Sequence, residues 1–259
     1  MRIATWNVNS LKARLERVEE WVDYAQPDVL CLQETKLADA AFPAMTFQAK
    51  GYEAVHHGHG ARQGVAILSR VGIEDPVYGL GDAGVEEMAS RLISATCGGV
   101  RVTSVYVPNG RTLDNPQYAA KLAWLDELAQ WLKSSCDPKG KVAVCGDFNV
   151  APDDRDVYDP ALFVGNTHTT AEVRAAVQEL VDWGLVDSFR RLYDGDRLYS
   201  WWDYRAGDFH QGRGLRIDLG LISERLAEGL TWALIDRQAR KGKLPSDHAP
   251  FLIDVDVDA

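Results

Sequence analysis

Short apolar runs rich in β-branched residues recur along the whole chain, and most of them end on a carboxylate, an amide or an imidazole. The runs read IATWN, DVLCLQE, VAVCGDFN, LRIDLGLI and PSDHAPF. They carry Asn7, Glu34, Asp147, Asn149, Asp218, Asp247 and His248 to the ends of strand-like segments. Side chains alternate across a strand, so polar groups that close several strands can collect on one rim when the strands pair. Sheet ends hold side chains more rigidly than free loops do, which suits catalysis or binding.

The run boundaries predict strands at Ile3–Trp6, Asp28–Leu32, Gly64–Leu68, Leu92–Cys97, Arg101–Tyr106, Val142–Cys145, Leu198–Trp202, Asp218–Ile222 and Phe251–Val255. Helices are expected after Ser10 as N-cap, after Asn115 with Pro116 at the first helical position, and from Thr169 with Glu172 completing a capping box. The opening reads strand–helix–strand, and hairpin-like pairs follow, unlike the regular alternation of a doubly wound parallel sheet. The expected class is α/β (α+β): a four-layered sandwich of two packed mixed sheets flanked by helices. No linker, low-complexity tract or repeat interrupts the chain, so 1–259 reads as a single domain.

Charge narrows the function. Lys and Arg total 28 and Asp and Glu total 38, a net charge of −10. That excludes a histone-like binder, whose affinity rests on many Lys and Arg contacts to phosphate. It does not exclude an enzyme that meets phosphate through a metal. Much of the acidity falls in 71–90 (Glu74, Asp75, Asp82, Glu86, Glu87), 150–160 and 254–258. These segments are expected to face away from a modest basic rim around an acidic pocket. No secretory signal or membrane-length apolar run is visible, which points to the cytoplasm and to no membrane partner. Cys31 and Cys145 sit in apolar runs and read as buried thiols.

Carboxylate and amide oxygens suit Mg2+, and no HExxH or cysteine cluster supports zinc. His56, His57 and His59, interleaved with Gly58 and Gly60, read as a solvated flexible loop. Arg240, Lys241 and Lys243 read as a solvated basic loop near SDH. A divalent cation beside a His–Asp pair and an Asp–Asn pair can hydrolyse a phosphodiester. Singly, each residue has a plainer reading: Glu34 as a cap, Tyr106 and Trp201 as core aromatics.

At these residues the sequence resembles the exonuclease III-type apurinic/apyrimidinic (AP) endonucleases of the endonuclease/exonuclease/phosphatase superfamily. The matching motifs are TWNVNSL (5–11), PDVLCLQETK (27–36), GVAILS (64–69), SVYVPNG (104–110), GDFNV (146–150), SWWDYR (200–205), RGLRIDLGLIS (213–223) and SDHAP (246–250). The resemblance implies a DNase I-like fold. It implies Mg2+, with Mn2+ able to substitute, at Glu34 and Asn7 with Asp247 as a second acid, and Asp147, Asn149 and His248 around the ion. Tyr106, Asp147, Asn149, Asp218 and His248 take the catalytic positions, Asp218 fixing the His248 ring.

Trp201, Leu215 and Ile217 match an apolar pocket for a flipped-out abasic sugar. Asn109, Arg111 and Arg205 are candidates for flanking phosphates. The implied activity is hydrolysis of the DNA backbone at abasic sites, with 3′–5′ exonuclease and 3′-end cleaning, in base excision repair. The implied partner is double-stranded DNA with abasic sites or 3′ ends, met by a monomer. Asn9 departs from the aspartate that some relatives carry there. A phosphodiesterase acting on lipid headgroups, inositol phosphates or RNA, and a non-catalytic DNA-binding module, are the competing classes.

Overall fold

The computed structural model describes residues 1–60, 62–80, 88 and 90–259. Among them, β1 (Arg2–Asn7), β2 (Val29–Gln33), β3 (Glu53–His57), β4 (Val65–Ser69), β11 (Leu230–Ile235) and β12 (Phe251–Val255) form a sheet in the order β11-β12-β1-β2-β4-β3. A second sheet runs β5-β6-β7-β8-β10-β9, from β5 (Glu74–Tyr78), β6 (Leu92–Cys97), β7 (Val100–Tyr106), β8 (Val142–Asp147), β9 (Leu185–Asp187) and β10 (Asp218–Ser223). Each sheet contains a parallel pair, β1 with β2 and β7 with β8, among antiparallel neighbours. Parallel strands need a long crossover. It is supplied by α1 (Leu11–Ala25) in the first sheet and α3 (Pro116–Ser135) in the second. Other α-helices among the described residues are α2 (Ala44–Gln48), α4 (Ala171–Trp183), α5 (Ser188–Leu192), α6 (Asp208–Gln211) and α7 (Glu224–Ala227).

Strand alternation builds the four layers. Along β2, Val29 and Cys31 enter the core between the sheets, while Leu30 and Leu32 face α1 and its Val18, Trp21 and Val22. Along β8, Ala143 and Cys145 point to the inter-sheet core, while Val142 and Val144 face Trp124, Leu128 and Leu132 of α3 and Val177 of α4. Both faces of each sheet are thus dry at the centre. At the rim the inward positions turn polar: Thr5 Oγ1 donates to Gln33 Oε1 at 3.1 Å, and Gln33 Nε2 to Ser104 Oγ at 3.0 Å. No helix of the described residues is long and apolar enough to cross a membrane.

The strands not foreseen are β3, β5, β9 and β11, and all four are sheet edges. An edge strand has one unpaired side and exposed faces, so it needs no apolar alternation; β5 is exposed throughout. The expected strand at 198–202 does not form. Trp201 makes only isolated bridges, to Leu215 and to His248, because this segment bonds to two different chain segments at the rim.

Ser10 is not a side-chain cap: its backbone is bent to φ 88° and its N–H donates to the Glu34 carbonyl. Thr170, not Thr169, caps α4, accepting from Val173 N, while the Thr169 hydroxyl donates to the Phe163 carbonyl. Glu74 and Asp75 are exposed on edge strand β5, while Asp82, Glu86 and Glu87 lie outside the described residues. Asp156 departs from the expectation for 150–160, being fully buried against Arg216 and Arg190.

Candidate active site

Three strand registers set the site. Tyr106 lies opposite Asp147, and Asp147 opposite Asp218, so β7, β8 and β10 place all three in one cross-strand row. From the other sheet, Asn7 closes β1 opposite Gln33, and Glu34 follows directly. Gly146 permits the close approach of β7 and β8: a Cβ there would sit 1.9 Å from the Val105 carbonyl oxygen. Glu34 and Asn149 both hold left-handed backbone, φ 51° and 50°, a conformation unfavourable for such residues and kept where the surroundings enforce it.

Asn7 joins the two sheets. Its Nδ2 donates to Glu34 Oε1 and to Asp147 Oδ2, both at 2.9 Å. Asn149 donates its backbone N–H to Asp147 Oδ1 at 2.9 Å and its Nδ2 to the Val107 carbonyl at 3.0 Å. His248 Nδ1 lies 2.8 Å from Asp218 Oδ2, and its Nε2 lies 3.8 Å from Asp147 Oδ2. The His248 turn is pinned to β1: Trp6 Nε1 donates to the His248 carbonyl and Ser246 Oγ to the Asn7 carbonyl.

Burial sets the proton affinities. Desolvation raises Asp147, and Asp218 adds to it, although His248 pulls the other way. Burial opposes charge on His248, but Asp218 and Asp147 outweigh it and raise the imidazole, which is cationic at neutral pH. Burial, then the nearby Glu34 carboxylate, raises Tyr106 and keeps its hydroxyl protonated.

Ligating atoms of Glu34, Asp147 and His248 lie within 4.8 Å of one another. The two carboxylates offer oxygen donors that fit a hard divalent cation, while Asn7, expected as a ligand, turns its NH2 and not its oxygen to them. Asp247 lies off this cluster: its oxygens accept from Asn9 Nδ2 at 3.0 Å and Trp201 Nε1 at 3.1 Å.

Of the expected substrate contacts, Asn109 is in the site, its Nδ2 donating to Asn149 Oδ1 at 3.1 Å. Arg111 lines a groove of about 380 Å³ beside Tyr106, with Arg62 and Arg91 and no acidic residue among those described. Arg205 is turned to Asp203 by three bonds of 2.6–3.0 Å. Leu215 and Ile217 are 0% and 2% exposed beneath Trp201, in a cluster with Ala151 and Val157.

Several participants escaped the sequence reading. Lys121 is fully buried on α3 and donates to the carbonyls of Asn109, Asn149 and Thr167, tying three site loops together. A lysine on a helix reads as solvated, and only its place among the buried α3 residues could have signalled this. His168 stacks on Trp201, ring centres 6.4 Å apart, with Nδ1 2.6 Å from Asn166 Oδ1. Burial pushes it down to about 3, so it is neutral. Two loop expectations need correction. His56 lies on β3 and bridges Asp39 and Thr35, because Gly58 and Gly64 leave room for it. Arg240 is buried over Trp202 and Phe209 and donates to the Ser246 carbonyl; Lys241 and Lys243 alone are solvated.

A model of the Endonuclease/Exonuclease/phosphatase family matches residues 4–248. The exodeoxyribonuclease III of Haemophilus influenzae is 35% identical over 264 residues, covering 97% of this chain and 98% of that protein. A solved AP endonuclease from Archaeoglobus fulgidus superposes with a TM-score of 0.96 at 36% identity, over 99% of this chain and 100% of that one. A 3′–5′ exonuclease (NExo) from Neisseria meningitidis superposes with a TM-score of 0.95 at 39% identity, over 99% and 100%.

Proposed function

Because the chain belongs to the endonuclease/exonuclease/phosphatase family, we propose that it is a Mg2+-dependent DNA repair nuclease of base excision repair. It hydrolyses the phosphodiester backbone at abasic sites and removes nucleotides and blocking groups from 3′ ends, and Mn2+ substitutes for Mg2+. The observation that carries this reading is the convergence of Asn7 and Glu34 from one sheet with Tyr106, Asp147 and Asp218 from the other.

Glu34 and Asp147 would hold the cation, with the Asn7 amide orienting both carboxylates. A bound divalent cation supplies charge neutralisation at the phosphate. A cationic imidazole donates rather than ligates, so His248 serves the phosphate through Nε2 while Asp218 holds Nδ1. Asp147, fixed by Asn7 and Asn149 with its Oδ2 3.8 Å from His248 Nε2, takes a proton from water. Tyr106 and Asn149 hold the phosphate oxygens as charge builds. Arg91 and Arg111, unpaired with any acid among the described residues of the groove, meet the flanking backbone. Changing either to alanine is expected to weaken DNA binding at all sequences and to lower the slope of log affinity against log salt by roughly 1. Filter binding across a salt series measures it; an unchanged slope would remove that arginine from the DNA footprint.

One observation favours 3′ ends over internal abasic sites within the same chemistry. The side chains that would receive an extruded sugar are packed together: His168 stacks on Trp201, and Leu215 and Ile217 have almost no accessible surface. A gel assay comparing an abasic duplex, a recessed 3′ end and a 3′-phosphate end tests the proposal, which requires metal-dependent turnover of at least one. His168→Ala is expected to raise abasic cleavage relative to 3′-end removal by about tenfold, the scale of discrimination that pocket shape supplies. An unchanged ratio would remove His168 from substrate selection.

A further inference from the structure

We infer that Lys36 is a built-in counter-charge that weakens divalent-cation binding at Glu34, because Asn9 leaves its ammonium without a carboxylate of its own. The inference rests on the reading above that the cation binds at Glu34. Lys36 Nζ lies 2.9 Å from Glu34 Oε2, while Asn7 Nδ2 occupies Oε1. The only other partner of Nζ among the described residues is Asn9 Oδ1, at 2.6 Å. Asn9 is fixed in this role: its backbone N–H donates to Asn7 Oδ1 and its Nδ2 to Asp247 Oδ1, so its Oδ1 faces the ammonium.

An amide oxygen solvates an ammonium but does not neutralise it. Lys36 therefore spends its full charge on Glu34, the carboxylate that the cation needs. Two cations on one carboxylate repel, and the side chains are buried enough to limit screening: Lys36 is 27% and Glu34 17% exposed. The turn that carries both residues is held independently of this pair, since Lys36 N donates to the Gln63 carbonyl and Thr35 N to the Gly64 carbonyl. Removing the ammonium thus leaves Glu34 in place and frees its second oxygen.

The sign of the effect separates this role from a structural one. A lysine that merely braced Glu34 would, when removed, weaken metal binding; a counter-charge, when removed, strengthens it. Asn9→Asp should act in the same direction, by placing a carboxylate against the ammonium and, in exchange for the Nδ2 bond to Asp247, adding negative charge near the ion.

Mn2+ alone, without DNA, is titrated into the full-length protein and the free ion followed by electron paramagnetic resonance, with Mg2+ as competitor. Wild-type protein binds Mn2+ and Glu34→Gln loses that site. Lys36→Met is expected to bind about tenfold tighter, Asn9→Asp also tighter, and Lys36→Arg, which keeps the charge, close to the wild type. Equal or weaker binding by Lys36→Met and Asn9→Asp overturns the inference while leaving the Glu34 site standing. Wild-type binding that Glu34→Gln does not reduce overturns both.

Discussion

Asp147→Asn protein is expected to turn over DNA about a thousandfold more slowly than the wild type, the scale of a lost general base or acid, while binding DNA with undiminished affinity. The substitution is nearly isosteric at a residue 1% exposed. The bond from Asn149 N to Oδ1 survives it. What disappears is the charge between Asn7 and His248, the Oδ2 that accepts from Asn7 Nδ2, one holder of the cation, and the group that exchanges a proton with water. The lost carboxylate also stops supporting the His248 charge, leaving Asp218 as its main partner. Single-turnover cleavage and DNA binding measured on the same preparation separate the two effects. Near-normal turnover would remove Asp147 from the chemistry and leave the Asp218–His248 pair to activate water.

The second large effect is on stability. Asp156→Asn is expected to cost about 3–5 kcal/mol, because it takes the carboxylate from Arg190 and leaves buried Arg216 with Asp187 alone. Asp156 is fully buried and accepts from Arg216 Nε at 2.7 Å and Nη2 at 3.0 Å, and from Arg190 Nη2. Burial pushes its carboxyl up, but Arg216 and Arg190 outweigh that and hold it below the usual range.

A carboxylate with a lowered folded-state pKa contributes stability above its unfolded pKa of about 3.9 and loses it as pH falls below that value. Urea denaturation should therefore show the full deficit of the variant at pH 7 and a smaller one near pH 3. A deficit under about 1 kcal/mol at pH 7, the range of exposed pairs, would mean that the network is not insulated from water. The network matters to the site because Arg216 N also donates to the Asp156 carbonyl at 2.9 Å, fixing the chain just before Ile217 and Asp218.

The central strands were legible because they are buried on both faces: Leu92–Cys97 and Phe251–Val255 form strands at the bounds that their apolar runs imply. The edges were not, since β5 and β11 keep exposed positions that resemble loops. The polar strand ends were legible for the same reason as the strands. A carboxylate that ends a dry run, such as Asp147 or Asp218, stands out against its neighbours. Lys121, His168 and Arg216 were not legible as a group, because what brings them to the site is tertiary. Three carbonyls around Lys121 and two carboxylates around Arg216 come from segments far apart in the chain. Asp247 was legible as a polar strand-end residue, but not its place between Asn9 and Trp201.

The most direct test is strand scission of an abasic duplex and removal of a 3′-phosphate, followed on one gel for wild-type and Glu34→Gln protein, in Mg2+ and in EDTA. Turnover of at least one substrate by the wild type in Mg2+, abolished by EDTA and by Glu34→Gln, is the expected result. Turnover that survives EDTA, or that Glu34→Gln retains in full, would contradict a metal-dependent hydrolase built on Glu34.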